Sequence, residues 1–233
     1  MTSNILTHTF VASIAAGVLL LSIGCATTHQ ARSVSRSGFL GDYSQLQPGK
    51  SGEAKLLYIH PTADFSKYDK VMIDRVQLWK SDEPDSPLGS LSPKDQQFLV
   101  DTLYSSLEEK LSGDYEIVDQ PGPGVLRIRA AVTEARKSKP VLDLASNVTP
   151  IGLGLTYSKR IVFGTHTSVG LVTGEMELLD SQTNERLAAA VDRRAGTKVL
   201  RGKFARWGDV KDAFDYWARR VQTRLAELRA RQD

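Results

Sequence analysis

The chain contains a single cysteine, Cys25, standing directly behind an apolar run from Phe10 to Ile23. With one thiol no internal disulfide can form, so side-chain packing alone must hold the domain that follows. The run, centred on Val18, Leu19, Leu20 and Leu21, falls short of the stretch of about 20 apolar residues that a bilayer-spanning helix requires. Its length suits the apolar core of an export signal instead, and Gly24 is small enough for a signal-peptidase pocket. Residues 1–24 are therefore a leader and lie outside the fold.

Behind the thiol come Ala26, Thr27, Thr28, His29 and Gln30, with no apolar continuation. This junction resembles the lipoprotein signal of bacterial envelopes, in which cleavage between Gly24 and Cys25 leaves the thiol to carry a diacylglyceryl group. The resemblance makes Cys25 the lipidation site, and the membrane a partner through N-terminal lipid. Each buried CH₂ of an acyl chain contributes about 0.8 kcal/mol, so two or three chains anchor stably. Position 26 is Ala rather than Asp. By the sorting rule of Gram-negative lipoproteins, that implies the outer membrane, with the domain facing the periplasm.

Residues 26–37 (ATTHQARSVSRS) are polar and rich in Ser and Thr, which predicts a flexible tether over 25–37. Hydrophobic residues at 41% and charged residues at 24% suit one globular domain over 38–233. Phe39, Tyr43 and Leu46 recur at i, i+4 and i+7, predicting a helical turn that Pro48-Gly49 ends. Lys55–His60 and Lys70–Trp79 read as strands, the second with apolar groups on both faces. Ser92, Pro93 and Asp95 open a helix in which Leu99, Leu103, Leu107 and Leu111 form one stripe and Gly113 is the stop. Tyr115–Asp119 is a short strand. Val125–Ala135 alternates, with Leu126, Ile128, Ala130 and Val132 opposite Arg127, Arg129 and Thr133. Ser168–Asp180 and Glu185–Arg194 flank a polar hairpin turn, Ser181–Asn184. Val210 to about Arg229 is a long amphipathic helix with Asp209 as cap and Val210, Phe214, Trp217, Val221, Leu225 and Leu228 on one stripe. Together these predict an α+β fold: a mostly antiparallel sheet, with one mid-chain helix and the C-terminal helix on one face.

Chemistry is sparse. His29, His60 and His166 have no partners at metal-ligand spacing. The sequence holds no nucleophile elbow and no phosphate loop, and Asp69, Asp74, Asp143 and Asp180 form no dyad that spacing can identify. Asp180–Asn184 lacks the glycine and terminal Glu of a calcium loop, leaving a hairpin turn as the better reading. The residues thus point to a non-enzyme without cofactor or metal. Between residues 147 and 174 five glycines punctuate apolar residues, readable as a docking loop or as two strands with close backbone approaches. Arg193, Arg194, Lys198, Arg201, Lys203 and Arg206 cluster ahead of the last helix. They form a candidate interaction patch for lipid phosphates or cell-wall carboxylates, or simply a solvated face with local pairs such as Asp215 with Arg219. An exported protein has no nucleic acid to meet, despite the net charge of +3.

The segment Ser37-Gly38-Phe39-Leu40-Gly41-Asp42-Tyr43-Ser44-Gln45-Leu46, together with Tyr68–Asp74, Gly174–Ser181 and Leu187–Ala190, resembles the domain of unknown function 3313 family of proteobacterial envelope lipoproteins over about residues 37–230. The family implies an envelope lipoprotein and brings no catalytic residues. The leading expectation is a non-catalytic binding or structural accessory with an envelope protein or peptidoglycan as partner. A regulator of a cell-wall synthase and a hydrolase with an unrecognised site stay open as alternatives.

Overall fold

A computed structural model describes residues 28–31, 33–80, 87–137, 170–196 and 207–231. Gly24, Cys25, Asp143, His166, most of the glycine-spaced stretch and Lys198, Arg201, Lys203 and Arg206 lie outside the described residues.

The centre of the sheet is an antiparallel meander of β7 (Val125–Arg136), β8 (Leu171–Asp180) and β9 (Arg186–Gly196). Alternation places Leu126, Ile128, Ala130 and Val132 of β7 on one face, in the main core, and Arg127, Arg129 and Ala131 on the other. A bulge between Val132 and Glu134 resets the alternation and returns Ala135 to the main core. Outside β9 lie β3 (Leu56–Ile59) and then β2 (Gln47–Pro48), both antiparallel. Beyond the end of β3, β1 (Thr28–Gln30) pairs with the last residues of β9, Thr28 opposite Gly196.

The other flank is parallel. β4 (Lys70–Ile73) and β5 (Gln77–Leu78) both run alongside β7 in its own direction, and β6 (Glu116–Ile117) runs parallel to β4. The sheet is therefore mixed, within the α+β class the sequence predicts. Parallel pairing follows from the helix between these strands, which returns the chain to the end where it started. The strand expected over Lys70–Trp79 is interrupted at Asp74–Val76, where Asp74 turns to Arg127.

α1 (Pro93–Leu111) starts as predicted: Ser92 Oγ accepts the Asp95 amide and Pro93 takes the first position. Leu99, Leu103, Leu107 and Leu111 are buried against the sheet. α2 (Gly208–Arg229) buries Val210, Phe214, Trp217, Leu225 and Leu228 in the same core. The helices run side by side in one direction, tied by Trp207 to Asp95 near their starts, Ser106 to Asp215 midway and Gln222 to Asp114 at their ends.

Several local expectations are corrected. Residues 38–46 form turns, because Gly38 and Gly41 adopt positive φ and interrupt any helix, although Phe39 and Leu46 are buried as the spacing implied. The tether expected over 25–37 is not free throughout: Thr28–Gln30 is strand β1, because β9 extends past β3 and offers its edge there. Asp209 lies within α2 rather than capping it; its carboxylate accepts the Gly170 amide at 2.8 Å, while Trp207 stands at the cap position. Asp215 makes its close ion pair with Lys211 at 3.0 Å and also accepts from Ser106, while Arg219 acts on it from farther off.

Gly174 has a steric purpose. A Cβ there would lie 2.7 Å from the Trp217 ring, whose Nε1 donates to buried Asp192 at 2.8 Å. Gly174→Ala should therefore destabilise the domain by about 1–3 kcal/mol through overpacking. In a tolerant strand the same change would stabilise slightly. Urea unfolding followed by Trp fluorescence checks the sign.

Candidate functional site

The face of the sheet away from the helices carries two buried carboxylates on β8. Glu175 is 1% exposed and Glu177 3%, and a carboxylate that dry must be compensated by charge or hydrogen bonds. For Glu175 the donors come from the N-terminal segment crossing this face: the Ser37 amide at 2.9 Å and the Tyr43 hydroxyl at 2.5 Å. Burial, and then the bond to Glu175, push the Tyr43 hydroxyl above its usual range. Glu177 sits between two guanidiniums, Arg129 at 2.5 Å and Arg186 at 2.9 Å. Arg186 also donates to the carbonyls of Leu40 and Asp42. Phe39 lies under the Arg129 guanidinium at 5.3 Å and edge-on to Trp79 at 5.6 Å. The strap over 37–46 is thus a cover fitted to two acids.

Below the strap this face opens into a polar basin of about 660 Å³, walled by Asp74, Arg127, Arg129, Glu177, Asn184 and Arg186 among others. Arg127 grips Asp74 through Nε and Nη2 at 2.7–3.1 Å and reaches Asn184 Oδ1 at 3.0 Å. Hydrogen bonding to Asp74 raises the Arg127 pKa against burial. Each guanidinium is held by a carboxylate, yet Arg127 and Arg129 keep about a third of their side chains open to the basin. Pre-oriented guanidinium donors suit planar carboxylate, phosphate or peptide oxygens. They cannot shuttle protons, because arginine does not deprotonate in proteins. Among the described residues no cluster of three or more His, Cys, Asp or Glu could hold a metal.

The hairpin bordering the basin is an Asx turn on Asp180. Oδ1 accepts the amides of Gln182 and Thr183 at 3.0 Å, Oδ2 accepts the Tyr68 hydroxyl at 2.8 Å, and Asn184 takes positive φ. Burial would raise the Asp180 pKa, but the bonds from Thr183, Tyr68 and Gln182 outweigh it and bring the value down to about 2. Burial and then Asp180 push the Tyr68 hydroxyl well above its usual range.

Of the predicted patch, only Arg193 and Arg194 are described, and they do not act together. Neighbours on a strand point to opposite faces: Arg193 pairs with Glu134 at 3.1 Å on the open face, whereas Arg194 is buried on the helix face. There Arg194 donates to Thr28 Oγ1 and to the Thr28 carbonyl, both at 2.8 Å, and lies 3.7 Å from the centre of the Tyr216 ring. Burial lowers its pKa, and Asp192 and Tyr216 oppose that. His60 stands beside Glu185 at 3.5 Å, outside the basin, and His29 lies in β1. Sequence reasoning missed Glu175, Glu177 and Arg186. Their signal is the alternation of Glu175 and Glu177 on β8 against Arg127 and Arg129 on β7, where register sets Arg129 opposite Glu177.

The fold is a mixed α+β sheet whose helix-free face carries two compensated buried carboxylates beside an arginine-lined basin. The family model described as "Protein of unknown function (DUF3313)" matches residues 35–221, and the chain belongs to this family. It is 29% identical over 182 residues to an uncharacterized lipoprotein, YdcL, of Escherichia coli K12, covering 77% of this chain and 79% of the relative. Among solved structures it is similar to the PelC dodecamer of Paraburkholderia phytofirmans, at 14% identity and TM-score 0.37 over 70% of this chain and 91% of that one. Lipoprotein GNA1162 of Neisseria meningitidis is similar at 12% identity and TM-score 0.34, over 68% of this chain and 98% of that one. No helix among the described residues is long and apolar enough to cross a membrane.

Two outcomes follow from the pairing. Arg186→Met leaves Glu177 half-compensated and frees the Leu40 and Asp42 carbonyls, so it should cost about 3–5 kcal/mol. It should also speed tryptic cleavage at exposed Arg36, read by mass spectrometry of limited digests. For Asp180 the folded pKa lies below its ordinary 3.8, so its contribution is full above pH 4 and is lost as pH falls towards 2. That contribution is about 2 kcal/mol by linkage, and Asp180→Asn should flatten this part of a urea-stability against pH profile.

Proposed function

We propose that this protein is an outer-membrane lipoprotein, held through lipid on Cys25 with its domain in the periplasm, acting as a non-catalytic binding accessory. Its partner is an envelope protein or peptidoglycan that offers carboxylate or peptide carbonyl oxygens to the arginine-lined basin. The observation that carries this reading is the basin itself. Arg127, Arg129 and Arg186 are fixed by Asp74, Glu177 and strap carbonyls while the basin stays wet. Such a wall recognises planar oxygen pairs without proton transfer. The export junction and the similarity to an uncharacterized lipoprotein support the anchor.

The test combines fractionation with photocrosslinking from the exposed rim residue Gln77. The wild-type protein should sediment with outer membranes, and Cys25→Ala should appear in the periplasmic fraction. Gln77→p-benzoylphenylalanine should capture a discrete envelope protein or a muropeptide, and Arg127→Ala should reduce that adduct at least tenfold. A wild-type protein in the soluble fraction would refute the anchor. A rim crosslinker that captures nothing beyond background would refute the binding role.

A further inference from the structure

Strand β1 leaves almost no slack between the acylated cysteine and the folded body. Cys25 precedes Thr28 by three residues, and Thr28 is already locked. It pairs with Gly196, and its hydroxyl and carbonyl each accept from buried Arg194 at 2.8 Å. Two residues on, Gln30 donates to Asp192 Oδ1 at 2.7 Å and to the Glu53 carbonyl at 2.9 Å, and the Ala31 amide donates to Arg193. Three residues span at most about 11 Å, where a free tether to residue 37 would span about 40 Å.

All three strands of the meander end or begin beside Thr28. β9 finishes there at Gly196, β7 finishes at Arg136 and β8 starts at Leu171. Both helices start there: Asp95 in the first turn of α1 bonds Lys137 at 2.6 Å, just past β7, and Trp207, just before α2. Its exposed side chains include Lys94, a cation suited to lipid phosphates, and Arg136, which pairs with Glu134 at 3.0 Å. At the opposite end lies the Gln182–Asn184 turn and, beside it, the basin. The eleven residues of β9 separate the two ends by about 34 Å, at about 3.4 Å per residue.

We infer that the domain stands on the phospholipid surface in a fixed orientation, with the Thr28–Gly196 end seated on the headgroups. The basin then opens about 20–34 Å from that end, at about 3.4 Å per residue. This inference rests on the anchored reading above and sharpens it. The basin meets a partner out in the compartment, not the lipids of the membrane that holds the protein. β1 is the device that sets the orientation, because it shortens the tether.

The test uses the lipoprotein purified from envelopes and reconstituted into phosphatidylethanolamine–phosphatidylglycerol vesicles containing a Ni²⁺-chelating headgroup lipid. A nitroxide is attached by azide chemistry at Lys94→p-azidophenylalanine or at Asn184→p-azidophenylalanine. The label at position 94 should relax at least fivefold faster than the label at 184. Inserting twelve Gly/Ser residues between Cys25 and Thr28 should bring the two rates within twofold. Equal relaxation at the two positions in the uninserted protein, or a difference that survives the insertion, overturns the proposal. The intact mass reads the anchor separately. If Cys25 carries no diacylglyceryl group, the anchored reading fails, and coupling the same thiol to a maleimide phospholipid still decides the geometry. Circular dichroism of each variant confirms that the comparison is between folded proteins.

Discussion

The demand that organises this molecule is the compensation of Glu175 and Glu177. Both acids lie on the middle strand of the meander and on its helix-free face, nearly excluded from water. Leaving either unpaired would cost several kcal/mol. The N-terminal segment is therefore drawn across the sheet to bring the Ser37 amide and Tyr43 hydroxyl to Glu175. Arg129 and Arg186 close on Glu177, and the guanidinium of Arg186 reaches on to the strap's own carbonyls. A second small core then forms under the strap from Phe39, Leu40, Leu46, Ala131, Ala189 and Val191. The polar pairs position the strap, and the apolar contacts fill the space beneath it.

The helix face follows a different logic. Its core is built on leucine and aromatic side chains, and its polar atoms are confined to the points where elements must register. Asp95 is one such point, accepting from Lys137, Ser92 and Trp207, which together hold its carboxyl well below the usual range. The Lys137 bond is the largest of these effects, so the end of β7 and the starts of both helices are set against one another by one carboxylate. Asp209 does similar work at the starts of β8 and α2, in a space that Gly196 leaves empty. With no disulfide available, these half-buried polar locks supply the specificity that leucine packing does not.

Much of this was legible in the residues. The α1 stripe, its Ser92 cap, the alternation of β7 and the α2 stripe are local patterns, and local patterns determine local structure. The parallel flank was less accessible: nothing in Lys70–Trp79 states on which side of β7 it will lie, or that the Asp74 carboxylate will pair with Arg127. The turn over 38–46 misled because Phe39, Tyr43 and Leu46 share a spacing with helices, while Gly38 and Gly41 needed positive φ to reach the same burial. The basin was invisible for a third reason. Arg127, Arg129, Glu177 and Arg186 each read as solvent-facing positions of half-buried strands. Only the register between strands turns four wet residues into one linked network.

That network also bears on how an open sheet face stays single. Outer strands invite pairing through free backbone groups, and proteins limit this by shortening or charging them. Here β2 and β6 are two residues each, and β2 ends in Pro48, which has no amide to donate. On the open face, the exposed portions of Arg127, Arg129 and Arg193 belong to ion pairs, so the surface there is charged without carrying a net field of one sign. A ligand for such a face must offer oxygens in a geometry that matches the guanidinium forks, because charge alone meets an equal charge beside it. Compensation thus stabilises the fold and, by the same contacts, leaves this face with paired charges whose guanidinium forks would select a ligand by shape.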